Sequence, residues 1–129
     1  MIKLDRYDDI HVLHLGDGDN RFDGDTVPAI HAALDDIEAA ASAPAALVTT
    51  ASGKIWSTGL DLDHLGSVED PWAFVGHVQS VCARLLRLPL FSVAAIQGHA
   101  FAAGAMLALA HDARVMRVDR GYFCLPEAD

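Results

Sequence analysis

The stretch that most constrains this chain is Pro89 to Asp112, PLFSVAAIQGHAFAAGAMLALAHD. An apolar run, Phe91 to Ile96, is followed by Gly98 and then by Ala102 to Ala110, whose Ala, Met and Leu content favours a helix. It reads as a buried strand, a tight turn and a buried helix. Small residues at Ala100, Ala102, Ala103, Gly104 and Ala105 let main chain approach main chain or ligand closely. The first turn of a helix also leaves N–H groups without partners, carrying a partial positive charge. Such a place can hold a developing oxyanion.

A chain of 129 residues suggests a single domain, residues 1–129. Its hydrophobic share of 52% and mean hydropathy of +0.24 supply a sizeable core and exclude a disordered chain. The net charge of −9, from 18 acids against 9 bases with no Lys/Arg cluster, excludes a basic field for nucleic acid. Cys82 and Cys124 form neither a C-x-x-C pair nor a disulfide framework, so two buried thiols in a reducing compartment are expected. The opening MIKLDRYDDI turns acidic before any apolar run develops, unlike a signal peptide. The longest apolar run, Leu90 to Ala110, is broken by Gln97, Gly98, His99 and Gly104, so a membrane span is not expected. The expectation is a soluble, cytoplasmic protein.

Ile2 and Leu4, then Ile10, Val12, Leu13 and Leu15, predict a hairpin turning at Arg6 to Asp9. Gly16 to Asp25 reads as a solvated loop; Arg21 and Phe22 stand where a calcium loop needs an oxygen ligand and a glycine. A helix capped by Asp25 or Thr26, with Pro28 in its first turn, carries Val27, Ile30, Ala33, Leu34, Ile37 and Ala40 at helical spacing and ends near Ala41 to Pro44. Ala46 to Thr50 is a strand, and a turn at Ala51 to Lys54 leads into a loop, IWSTGLDLDHL. A second helix opens at Glu69-Asp70-Pro71, shows an apolar face at Phe74, Val78, Val81, Cys82, Leu85 and Leu86, and stops at Pro89. Strands at Arg114–Val118 and Tyr122–Leu125 follow the Ala-rich helix. Strands and helices thus alternate as β-β-α-β-α-β-α-β-β, an α/β pattern. No element follows to cover the last strands, so the chain is expected to be a piece of something longer.

The seven histidines lack ligand spacing and no H-E-x-x-H occurs, so no metal site is expected. Ser57 lacks a G-x-S-x-G turn, and Gly98 to Gly104 matches neither G-x-G-x-x-G nor a P-loop. Asp61 reads as a helix cap.

Two segments carry linked motifs: Leu47–Leu65 with Ser-x-Gly-x-Asp, and Pro89–Asp129 with Ala-Ile-x-Gly-x-Ala-x-Ala-Ala-Gly, Leu-Ala-x-x-x-Asp-x-Arg and Phe-x-x-Pro-Glu. Together they resemble the crotonase, or enoyl-CoA hydratase/isomerase, superfamily, and within it the plant-type peroxisomal Δ3,Δ2-enoyl-CoA isomerases. The resemblance implies a spiral of β-β-α units, here the N-terminal part of a crotonase-like domain, truncated before its C-terminal helical region. It implies an acyl-CoA thioester as partner, no metal or redox cofactor, and a homo-oligomer, a trimer at full length. A peroxisomal address would sit at the C-terminus of the longer family members.

Carried over by position, the oxyanion donors are the backbone N–H groups of Leu60 and Ala103. The substrate-binding segments are Ser57-Thr58-Gly59-Leu60-Asp61 and Phe101-Ala102-Ala103-Gly104. The family's hydratases use two glutamates; the first position is Met106 here and the second is Glu127. One carboxylate can move a proton but lacks the partner that positions a water, so the resemblance implies an isomerase with Glu127 as its acid/base. Trp56, Phe101, Met106 and Leu125 are expected to line an acyl pocket that raises the pKa of Glu127 by desolvation.

Overall fold

The computed structural model describes residues 1–40 and 44–128. Strict alternation builds its main sheet. In β2 (Ile10–His14) and β4 (Ala46–Thr50), His11, Leu13, Leu47 and Thr49 are buried while their neighbours are not. β7 (Phe91–Ile96) continues the pattern with Ser92, Ala94 and Ile96 inward. β1 (Lys3–Tyr7) pairs antiparallel with β2 through the expected hairpin, and β9 (Ala113–Met116) closes the other edge. The order is β1-β2-β4-β7-β9, with every pair after the first parallel.

The inward residues meet α1 (Thr26–Ala40) and α3 (Pro71–Arg87), which contribute Ile30, Leu34, Ile37, Phe74, Val78, Val81 and Leu85 to one core. Arg84 joins the two helices, donating to the His31 carbonyl at 3.1 Å and to the Asp35 carboxylate at 2.7 Å. The α3 cap is Asp70, as Glu69-Asp70-Pro71 predicts, its side chain accepting from the Ala73 N–H. Leu86 departs from the expected apolar face: it is 71% exposed, and Cys82 is only half-buried. Cys124 is exposed rather than buried, because it lies on the short strand β10 (Phe123–Cys124) at the rim of a second sheet.

Local chemistry moves several boundaries. α1 is opened by Asp23, not by Asp25 or Thr26: its carboxylate accepts from the Asp25 and Thr26 N–H groups at 3.0 and 2.8 Å. The expected end of that helix, Ala41 to Pro44, begins on residues 41–43, which lie outside the described residues. The expected loop Gly16–Asp25 contains a strand, β3 (Arg21–Phe22), and IWSTGLDLDHL contains β5 (Ile55–Ser57), β6 (Gly59–Leu60) and α2 (Leu62–Ser67). Gly98 leads into a further strand, β8 (His99–Phe101), so the Ala-rich helix α4 runs only Ala103–Leu109. β3 pairs with β6, and β10, β8 and β5 form a parallel three-stranded sheet. Two-residue strands are too short to leave a period in the sequence.

Candidate active site

β5, β6 and α2 form one continuous path that the loop before α1 holds in place. Asn20 adopts φ +52°, a conformation its side chain tolerates better than most, and donates from Nδ2 to the carbonyls of Ile55 and Trp56, both at 3.1 Å. Its own carbonyl accepts from Ser57 Oγ at 2.8 Å, and that hydroxyl accepts from the Gly59 N–H at 3.1 Å. Thr58 donates its N–H to Asp19 O at 3.0 Å. Asp61 donates its N–H to Phe22 O at 3.0 Å and caps α2 by accepting from the His64 N–H.

That last pair fixes the direction of Leu60. Along a parallel ladder successive N–H groups point to opposite sides, so with Asp61 directed at β3 the Leu60 N–H points away from it. Gly59, the residue before Leu60, lies against the start of α4. Gly59 has φ +90°, and a Cβ there would sit 2.8 Å from Ala103 N and 3.2 Å from Gly104 N. Gly104 is held equally tightly, since a Cβ on it would collide with the Ser57 carbonyl. Only glycine at both positions lets the two segments touch main chain to main chain.

Ala103 opens α4, whose first intrahelical bond is Met106 N–H to Ala102 O at 3.0 Å; the Ala103 N–H has no acceptor among the described residues. Ala102 adopts φ +54° and ψ −126°, a conformation alanine rarely takes. Holding it costs about 1–3 kcal/mol, and its N–H is pinned to Cys124 O at 2.9 Å. The Ala103 amide that follows lies against Gly59. β10 runs parallel beside β8, so the turn Pro126–Ala128 that carries Glu127 leaves from next to Ala102.

The sequence-predicted residues therefore divide. Gly59, Leu60, Phe101, Ala102, Ala103 and Gly104 come together, with Thr58 and Asp61 flanking them. Met106 is 42% exposed on α4, Leu125 is half-buried, and Glu127 is exposed, so this chain does not bury the carboxylate in the apolar pocket expected for it. Trp56 lines no pocket: it is fully buried, packs edge-on against His111 at 6.4 Å, and its Nε1 has no acceptor among the described residues. Ser57 is likewise fully buried and serves the loop through its two hydrogen bonds. Asn20 and the Cys124 carbonyl are the positioning groups that sequence reasoning missed; an asparagine in a Gly/Asp-rich loop is a signal for positive φ, but not for what its amide will hold.

Beneath the site, His111 is buried, with Nδ1 at 2.9 Å from Leu107 O and Nε2 at 2.7 Å from Thr49 Oγ1. A carbonyl only accepts, so Nδ1 carries the hydrogen and the Thr49 hydroxyl donates to Nε2. Burial pushes the pKa of this imidazole down. Among the described residues no group of three His, Cys, Asp or Glu side chains could hold a metal ion, and no helix is long and apolar enough to cross a membrane.

Comparison with known proteins meets this geometry directly. The model of the enoyl-CoA hydratase/isomerase family matches residues 6–129. The chain belongs to that family. As an enoyl-CoA hydratase/isomerase family member it is 38% identical to enoyl-CoA delta isomerase 2, peroxisomal, of Arabidopsis thaliana, over 100% of this chain and 57% of that protein. It is 35% identical to enoyl-CoA delta isomerase 3 of the same plant, with the same coverage. Among solved structures, an enoyl-CoA hydratase/isomerase family protein from Pseudomonas syringae superposes with a TM-score of 0.86 at 30% identity, covering 98% of this chain and 55% of that one. The fold is therefore crotonase-like, and the chain spans a little over half the length of the curated relatives it matches.

Proposed function

We propose that this chain carries the catalytic half of an enoyl-CoA isomerase that shifts a double bond from Δ3 to Δ2 in an acyl-CoA thioester. The observation that carries the reading is the close approach of Gly59 to the unpaired Ala103 amide, which sets Leu60 beside an α4 that bears Met106 where a hydratase would need a carboxylate. Glu127 removes a proton from C2 of the 3-enoyl thioester, and the electron pair delocalises into a dienolate. The two N–H groups hold the thioester oxygen as charge develops on it, each contributing roughly 2.7–4 kcal/mol. Glu127 then returns the proton to C4, leaving the 2-enoyl product. The acyl-CoA is the only partner this scheme calls on, and it uses no redox group. The Arabidopsis relatives, named as delta isomerases, support this choice of reaction.

The test uses the full-length context. Glu127→Gln keeps the shape and removes the proton acceptor, so turnover of a 3-enoyl-CoA should fall at least ~10²-fold while binding survives. Met106→Glu should retain binding and introduce slow hydration of a 2-enoyl-CoA. Isomerisation unchanged within a few-fold in Glu127→Gln would remove Glu127 from the mechanism. A second reading, an acyl-CoA-binding unit without turnover, draws on the exposure of Glu127. It stands if the 129-residue chain binds acyl-CoA and converts neither isomer.

A further inference from the structure

The long helices α1 and α3 pack on the inner side of the five-stranded sheet, and the other side is mostly apolar from β2 to β9. By register, Ile10, Ala46 and Phe91 form one row across it, and Val12, Val48, Val93 and Ala113 form the next. Ala95 and Val115 extend the surface at the β9 edge, while His14 and Thr50 stand beyond Val12 and Val48, and β1 adds Lys3, Asp5 and Tyr7 at the opposite edge. None of these residues is buried: Ile10 is 45% exposed, Phe91 58% and Val115 65%, against 0–3% for Leu13, Leu47, Ala94 and Ile96 on the inner face. Sheets built from parallel strands are found with both faces covered, whereas a solvated sheet face carries polar side chains at these positions. From Ile10, Val12 and Val48 across to Ala113 and Val115, this face is apolar where a solvated sheet face would be polar.

We propose that two copies of this chain stack through that face, sheet on sheet. A pleated apolar surface is complementary to itself, and a two-fold axis lying between the sheets brings every row against its equivalent. Five strands about 4.8 Å apart and about five residues long present roughly 400 Å² of sheet plane per copy. With side-chain relief and the rim of Tyr7, Phe91 and Val115, the pair buries on the order of 1,000 Å², where specific interfaces of modest affinity begin. The charged side chains of the face are Lys3 and Asp5 on the edge strand β1, paired at 3.1 Å, with His14 of β2 3.6 Å from the same carboxylate, so the apolar contact centres on β2, β4, β7 and β9. Leu60 and Ala103 belong to β6 and α4, not to this sheet, so both candidate sites stay open in the pair.

Val48 is the middle residue of the middle strand and falls near the two-fold axis. Sedimentation velocity of the 129-residue chain between about 5 and 200 µM should show concentration-dependent dimers. Val48→Lys should sediment as a monomer throughout, while Trp72→Lys, on an exposed helix position away from this sheet, should behave as the unsubstituted chain. If the chain forms larger particles, their dispersal by Val48→Lys but not Trp72→Lys supports the stack. A monomer across the whole range overturns it, as does association that Val48→Lys leaves unchanged. Should Val48→Lys not fold, Val48→Cys in a Cys124→Ser background decides: mild oxidation links the stacked copies through residue 48. Failure to link, or equal linking by Trp72→Cys in the same background, overturns the proposal.

Discussion

The two halves of the candidate site are built by different means. The donor half, Asn20, Ser57, Gly59 and Ala103, is locked by side-chain bonds to main chain and by contacts that admit no Cβ. The carboxylate half is an exposed turn, Pro126–Ala128, whose own hydrogen bond is Ala128 N–H to Leu125 O at 3.0 Å. The difference follows from what each must supply. A backbone donor has no chemistry of its own beyond its direction, so the fold must fix that direction in advance. A carboxylate brings its chemistry with it and needs only its surroundings adjusted.

Substitutions in the donor half should therefore damage stability and site together. Gly59→Ala carries the largest expected effect: about 1–3 kcal/mol for placing a side chain at φ +90°, and a further 1–3 kcal/mol for overpacking against Ala103 N. Chemical denaturation measures the loss, and an unchanged midpoint would mean that the two segments part at no cost. Ser57→Ala comes next. It leaves the buried Gly59 N–H and the Asn20 carbonyl without their shared partner, at about 1–3 kcal/mol, with acyl-CoA binding weakened alongside. Glu127→Gln should leave the denaturation midpoint within ~0.5 kcal/mol of the parent, as expected for a surface position. A large shift there would erase the contrast.

Acidification probes the floor of the donor half with a smaller effect. Burial holds the His111 pKa below its ordinary value, so between that folded-state pKa and about 6.5 the unfolded chain binds the extra proton. The stability due to neutral His111 is complete above about pH 6.5 and declines as pH falls through this window. The fall in thermal midpoint from about pH 7 to 5 should be shallower in His111→Asn than in the parent. Equal slopes would take His111 out of the balance.

The sequence made the long periodic elements legible. β2, β4, α1 and α3 announce themselves by alternation or by apolar residues at helical spacing, and Asp61 and Asp70 by their place before a helix. The small-residue stretch before Met106 pointed to Ala103 as a candidate donor, and the family resemblance of Ser57 to Asp61 pointed to Leu60. What stayed hidden lies in short elements and in long-range contacts. β3 and β6 have two residues each and exist because they pair with each other. Asn20 looks like any loop asparagine until Ile55 and Trp56 arrive beside it. Trp56 illustrates the reverse error: it directly precedes the segment Ser57 to Asp61 assigned to the site, yet its own side chain is fully buried in the core.

The parallel pairing of the main sheet also governs how the chain reaches this structure. His11 pairs with Leu47 and Leu47 with Ser92, so each new strand must wait for a long intervening segment, helix included, to be made and packed. Loop-closure entropy is spent before any ladder bond returns it, which makes such a topology slow to fold. During synthesis β1 and β2 can form their hairpin at once, while β7 emerges only after both long helices. Until then β4 presents an unpaired edge, so the nascent chain passes through a period of exposure that a chaperone would shorten.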